Sequence, residues 1–362
     1  MLWRLPGPVR ALLVSSVRSR PHLTACYYST AAPAKRADPL RILFCGADEF
    51  SIASLLALNQ ARRDVPGLID AIHVAHRPAK PTGRGLKVLK EVPIAATASS
   101  LSLPTHVFDT FTGYTPPFPY NLVIAVSFGL LVPPRILDQA KYGGLNVHPS
   151  LLPDLRGSAP IEHAILKQRD YTGVSVQTLH PTKFDEGVVL AQTPAPGMKI
   201  GDGETAVELN SRLGPMGASM LVDVLKEQRF VSPLEPTGWY SGAVDHAPKL
   251  TKQDALVDFS TMSMAHILAI QRALGHTWIR LPNGERLVVH ELADTGAHLE
   301  CELPMPNQGV GGELFLRAAC GRIGTIRSST YPGGRRGHGN SKAAKVLREA
   351  IHDDTRSSGK TR

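Results

Sequence analysis

Cysteine is scarce in this chain: among 362 residues there are four, Cys26, Cys45, Cys301 and Cys320. None stands in a C-x-x-C pair or at metal-ligand spacing, which excludes the usual disulfide framework and zinc site and fits a reducing compartment. No run of about 18 apolar residues occurs, so a membrane span is not expected. A GxGxxG turn is missing as well. The first apolar run ends in GADEF (46–50), without the glycines that let a backbone approach a pyrophosphate, and this speaks against a nicotinamide oxidoreductase. Acid is absent from residues 1–37, which carry six cations; residues 321–362 carry a net +7, leaving the centre at −4 within a total of +9.

What is present suits a folded, two-domain protein. The chain is 43% hydrophobic and 20% charged, ample for a buried core. The acid-free amino end mixes Arg and Ser with Leu, Val and Trp, the pattern of a mitochondrial transit peptide, expected over residues 1–38; a basic arm binding nucleic acid is the alternative.

Beyond it, apolar runs alternate with segments of helical spacing. RILFCG (41–46), DAIHVAH (70–76), NLVIAVS (121–127) and GGLNVH (143–148) read as strands. FSIASLLALNQARR (50–63), VPIAATASSLSL (92–103) and PPRILDQA (133–140) read as helices between them. This alternation predicts an α/β domain with a mostly parallel sheet covered on both faces, and active sites of such sheets lie at the carboxyl ends of strands.

One strand end is chemically distinctive. Asn146 and His148 are two residues apart, so both side chains leave the strand on the same face. Taken alone, a histidine at a strand end is more often structural than catalytic. A second segment, HPTKFDEG (180–187), lies between the apolar runs VSVQTL and VVLAQT. Its Asp185 is either an ordinary turn residue or a carboxylate delivered to the same sheet edge, where it would hold a histidine's tautomer. Ser150 completes a nominal Ser-His-Asp set, but no GxSxG elbow surrounds it.

The stretches NVHPSLLPDLRGSAPIEHAIL (146–166) and TGVSVQTLHPTKFDEGVVLAQ (172–192) resemble the signature region of the folate-dependent formyltransferases: N-x-H-x-S-L-L-P-x-x-R-G-x-x-P, then T-G-V, then D-x-G. Within that family, RPAKPTGRGLKVLKEVPI (77–94), VSFGLLVP (126–133) and HAPKLTKQDALVDF (246–259) are similar to segments of the branch acting on initiator methionyl-tRNA. The resemblance implies a Rossmann-like formyltransferase domain over 39–230, a linker over 231–245, a smaller OB-like β-barrel domain over 246–350 and a basic tail over 351–362. It implies 10-formyltetrahydrofolate as formyl donor, no metal, initiator methionyl-tRNA as partner, a monomer without membrane contact, and the mitochondrial matrix as location. Asn146, His148 and Asp185 become the expected catalytic trio. Phe128, Gly129, Leu130, Leu131 and Val132, with Ser150, Leu151, Leu152 and Pro153, become the expected folate site. Lys80, Arg84 and Lys87 become the expected tRNA contacts, in a loop otherwise read as merely solvated. Two departures from the family pattern, GADEF for G-T-P-x-F and FDEG for L-D-x-G, spare the trio.

The chemistry explains the residue types. When an amine attacks a formyl carbon, the carbonyl oxygen becomes an oxyanion, and a positioned donor such as Asn146 is worth roughly 3 to 4 kcal/mol there. Proton transfer from the amine toward the leaving folate nitrogen, aided by His148 and Asp185, contributes on the order of 10²- to 10⁴-fold. A formyltetrahydrofolate hydrolase or small-amine formyltransferase would use the same trio without the basic loop or basic second domain. A non-catalytic RNA-binding protein on the same scaffold would be expected to have lost one of the three.

Overall fold

The computed structural model describes residues 35–82, 85, 87–299, 307–308 and 312–358. The expected transit segment lies outside the described residues up to residue 34. From Lys35 onward the chain is tied to the body: Lys35 Nζ donates to Pro233 O, Ala37 N to Gln228 Oε1, and Lys141 pairs with Asp38.

The first half alternates as its sequence pattern requires. It runs β1 (Leu40–Gly46), α1 (Glu49–Asp64), β2 (Ile69–His76), a hairpin of β3 (Lys80–Thr82) and β4 (Val88–Lys90), α2 (Pro93–Ser100), β5 (Thr105–Val107), β6 (Leu122–Val126), α3 (Pro134–Leu137) and β7 (Gly144–His148). Then come β8 (Arg156–Gly157), α4 (Pro160–Leu166), β9 (Tyr171–Thr172), β10 (Ser175–Thr178), β11 (Val189–Gln192), β12 (Met198–Lys199) and α5 (Ala206–Lys226). Seven of these strands form one sheet in the order β11-β10-β7-β6-β1-β2-β5. Pairings from β7 across to β5 are parallel, whereas β10 is antiparallel to both β7 and β11.

Period-two alternation divides the core. Ile42, Phe44, Ile72, Leu122 and Ile124 face one side, packed with Leu55 and Leu58 of α1 and Leu213 and Leu221 of α5. Leu43, Cys45, Val123 and Ala125 face the other, where Phe111, Tyr120, Phe128 and Ile136 cover them. That second cover is largely an aromatic segment, not a helix layer, because residues 108–120 lack helical spacing but supply large rings. α5 starts at a capping box, with Thr205 accepting from Glu208 N and the Glu208 carboxylate accepting from Thr205 N.

The second half contains β13 (His246–Ala247), α6 (Met264–Leu274), β14 (Thr277–Arg280), β15 (Arg286–His298), β16 (Asn307–Gln308), β17 (Leu314–Arg317), β18 (Arg322–Thr330) and α7 (Asn340–Ser358). Its antiparallel sheet has the order β14-β15-β18-β17-β16. A separate core forms around Val257, Ile267, Ile270, Leu287, Leu314 and Ile326, joined by Ala343 and Ala344 of α7. Leu166 and Leu274 pack against both cores. The helix α6 is not part of the β-barrel that the resemblance implies for this region; Ser263 caps its start and Gly275, at φ +69°, ends it. The helix α7 runs past position 350, where the basic tail is expected to begin, because AAKVLREA is made of good helix formers and continues the turn.

Candidate active site

At the antiparallel edge the register sets the chemistry. β7 and β10 pair so that Asn146 lies opposite Gln177 and His148 opposite Ser175. The turn after β10 returns Asp185, at φ +55°, to the same edge; Asp is among the residues that tolerate this left-handed conformation. Close to it, Gly187 approaches the backbone so tightly that a Cβ would lie 1.7 Å from Thr178 O. The three expected catalytic residues therefore meet, although Asp185 comes from a different chain segment than Asn146 and His148 of β7.

His148 is 4% exposed. Its Nδ1 lies 3.3 Å from Asp185 Oδ1 and its Nε2 3.0 Å from Leu155 O. A ring nitrogen facing a carbonyl oxygen carries a proton, so Nε2 is a donor, and Nδ1 shares a proton with the carboxylate when the ring is charged. Asp185 Oδ2 accepts from Gly157 N at 2.9 Å. Gly157 stands at φ +130° in β8, pressed against β13, where a Cβ would sit 2.4 Å from Ala247 O. The R-G of the signature is thus held in place by the chain leading into the second domain.

Asn146 Nδ2 donates to Ala125 O at 2.9 Å, and its Oδ1 accepts from Gln177 Nε2 at 3.1 Å. Gln177 also donates to Asp185 Oδ1 at 3.1 Å and accepts from Gly187 N at 3.1 Å. Sequence reasoning misses Gln177. Its signal is a lone amide inside an apolar strand, and that becomes meaningful once the β7–β10 register is known.

The expected folate residues divide into two groups. Ser150 is fully buried; its Oγ donates to Asp154 O at 2.6 Å, and its carbonyl accepts from Ser175 Oγ. Leu151 and Leu152 are buried too, and Leu152–Pro153 is a cis peptide. Leu152 N donates to Ser175 Oγ, and Leu152 O accepts from Gln192 Nε2. The SLLP loop is therefore a rigid insert packed on β10 and β11. In the other group, Phe128 and Val132 are buried, Gly129 is exposed at φ +74°, and Leu130 and Leu131 line a pocket of about 280 Å³ with Phe111, Pro133 and Arg135. None of the trio lines that pocket.

The crevice at the β1–β6 switch point adds Asp48, which caps α1 by accepting from Ser51 N. Burial pushes its carboxyl above the ordinary value, with hydrogen bonds from Ser51 and Ser127 opposing the rise. Glu162, in the first turn of α4, is pushed up by burial and further by Asp48. Among the described residues no group of three or more His, Cys, Asp or Glu is placed to hold a metal ion, and no helix is long and apolar enough to cross a membrane.

Of the expected tRNA contacts, Lys80 opens β3 opposite Lys90, and Lys80 and Lys87 are both exposed. Arg84 lies outside the described residues.

The model of the formyl transferase family matches residues 40–225. The mitochondrial methionyl-tRNA formyltransferase of Saccharomyces cerevisiae is 34% identical over 70% of this chain and 72% of its own. The methionyl-tRNA formyltransferase of Chromohalobacter salexigens is 33% identical over 82% of this chain and 90% of its own. The human mitochondrial methionyl-tRNA formyltransferase is 33% identical over 66% of this chain and 58% of its own. Among solved structures, the sugar 3N-formyl transferase WlaRD, in the presence of dTDP and 5-N-formyl-THF, superposes with a TM-score of 0.54 at 14% identity, over 80% of this chain and 98% of its own. That last likeness is one of fold. With its central sheet, its signature residues gathered at one edge and relatives matched across both halves, the chain belongs to the formyl transferase family.

Proposed function

We propose that this protein transfers the formyl group of 10-formyltetrahydrofolate to the α-amine of methionine carried by initiator tRNA, for translation in the mitochondrial matrix. The observation that carries the reading is the match to methionyl-tRNA formyltransferases over as much as 82% of the chain, well beyond the catalytic domain. A likeness confined to residues 40–225 would leave the acceptor open.

In this reading Asn146, His148 and Asp185 are the catalytic residues. The amine attacks the formyl carbon, and the oxygen of that carbonyl takes the negative charge. Asn146 keeps one Nδ2–H beyond the bond to Ala125 and donates it to the oxyanion. The proton lost by the amine is taken up by the His148–Asp185 pair, between Nδ1 and Oδ1, and given to the folate nitrogen as the C–N bond to folate breaks. The segment 128–132 and the SLLP loop (150–153) form the folate site, with the buried loop acting from behind as a support. The basic sequence segment that holds Lys80, Arg84 and Lys87 meets the tRNA backbone, where its cations give salt-dependent affinity. The second domain, 246–350, is OB-like and extends the tRNA surface; the register breaks along the 13-residue β15 supply the bending that a small barrel needs. The protein acts as a monomer.

The test offers the purified chain 10-formyltetrahydrofolate with charged initiator tRNA, an amino sugar or water as acceptor. Formyl-methionine released from the tRNA in the first mixture alone is the expected result. Formate released in the acceptor-free mixture at the same rate would make the protein a hydrolase and overturn the reading.

A further inference from the structure

We infer that Gln177 is a positioning residue for formyl transfer: it fixes the amide of Asn146 and the carboxylate of Asp185 in the orientation the reaction needs. The inference rests on the proposed reaction and adds to it a residue outside the expected trio.

Gln177 is 1% exposed, and each end of its amide has a partner of one kind. Gly187 N–H can only donate, so Gln177 Oε1 must face it. The NH₂ end then points at Asn146 Oδ1 and Asp185 Oδ1, both at 3.1 Å. Turning the amide over would set donor against donor at Gly187 and acceptor against two acceptors at the other end, so its orientation is unique.

That uniqueness passes to Asn146. Ala125 O can only accept, so it holds Nδ2, while Gln177 holds Oδ1. The remaining Nδ2–H of Asn146 therefore has a fixed heading. Without Gln177, one of the two bonds that orient the Asn146 amide is gone, and a turned amide would present an acceptor where the oxyanion needs a donor. The same Nε2 contacts the Asp185 oxygen that lies 3.3 Å from His148 Nδ1, so one neutral side chain links the oxyanion donor to the proton-transfer pair. Its chemistry is not interchangeable. A methionine would leave two buried oxygens without that donor, and a glutamate would set a second carboxylate beside Asp185.

The experiment measures kcat and KM for charged initiator tRNA and for 10-formyltetrahydrofolate in the full chain, in Gln177→Met and in Gln177→Glu, with melting temperatures alongside. Gln177→Met is expected to lower kcat by roughly 10- to 100-fold, the range for groups that orient a catalytic side chain, with both KM values within about twofold of wild type. Gln177→Glu, nearly the same shape, is expected to fall further at pH 8 and to recover in part near pH 6, where a protonated carboxyl regains a donor; wild type shows no such acid recovery. A wild-type kcat in folded Gln177→Met, or in folded Gln177→Glu should the methionine variant not fold, would overturn the inference while leaving the reaction intact. So would losses confined to KM or to the folded fraction. No formyl transfer by the wild-type chain would instead remove the reaction itself.

Discussion

Two amide side chains in this molecule, one buried and one half-buried, are used differently. Asn340, at the start of α7, is 7% exposed and spends its whole amide on structure: Nδ2 donates to Gly312 O, Ile326 O and Arg327 O, while Oδ1 accepts from Ser329 Oγ. Asn146, at the β7–β10 edge, bonds one backbone oxygen and one side chain and keeps an N–H in hand. A saturated polar network locks a fold, whereas a network held rigid by its neighbours with one donor unspent is arranged to act on something else. The contrast sets an amide that serves the fold apart from the amide proposed to act on the substrate.

The largest effect that would break this contrast concerns Asp185. Asp185→Asn keeps a residue that tolerates φ +55° but removes the charge facing His148. It is expected to lower kcat by on the order of 10²- to 10⁴-fold, measured as formyl-methionine produced per folded molecule; near-normal turnover would remove His148 and Asp185 from the mechanism. Next comes Asn340→Ala, which removes the two amide hydrogens shared among three backbone carbonyls and the acceptor of the Ser329 hydroxyl. It is expected to cost about 2 to 4 kcal/mol in denaturant unfolding while leaving turnover per folded molecule unchanged. A fall in kcat larger than the loss of folded protein would erase the distinction.

A third polar pair sharpens the point. His73 Nδ1 and His106 Nε2 lie 3.1 Å apart, with His73 stacked on Phe118. Burial pushes both imidazoles below their ordinary value, and His106 adds to the effect at His73. As pH falls below about 6.5, the unfolded chain takes up protons first, so stability drops with pH through that window and is restored above it. The melting temperature of wild type is expected to fall between pH 7.5 and 5.5, and the fall to be shallower in His106→Leu; parallel curves would show that the pair does not titrate in this range. The smallest effect is at the basic hairpin. Lys80→Ala combined with Lys87→Ala is expected to raise KM for the charged tRNA by about threefold to tenfold and to flatten its salt dependence, with kcat unchanged.

Much of the first half is legible in its residues because strands and helices alternate with clear periods, and Asn146, His148 and Asp185 lie in motifs whose spacing survives folding. Other features depend on pairing between distant segments. Gln177 gains its role from an antiparallel register with β7, and Gly157 from the pairing of β8 with β13. A local pattern carries no such information. The aromatic segment 108–120 has no period to mark it as a cover for the sheet, yet Phe111 and Tyr120 are buried there. In the second half, register shifts between the long strands β15 and β18 weaken the alternation, and α6 is marked by its caps more than by its apolar face.

In the proposed reaction the spare amide N–H of Asn146 stabilises the charge that develops on the formyl oxygen. Single-turnover formyl transfer by wild type and by Asn146→Ala, both saturated with 10-formyltetrahydrofolate and charged initiator tRNA, tests it most directly. Asn146→Ala is expected to be slower by about 10²- to 10³-fold with substrate affinities preserved. Equal rates, or a loss recovered fully by raising either substrate, would contradict it.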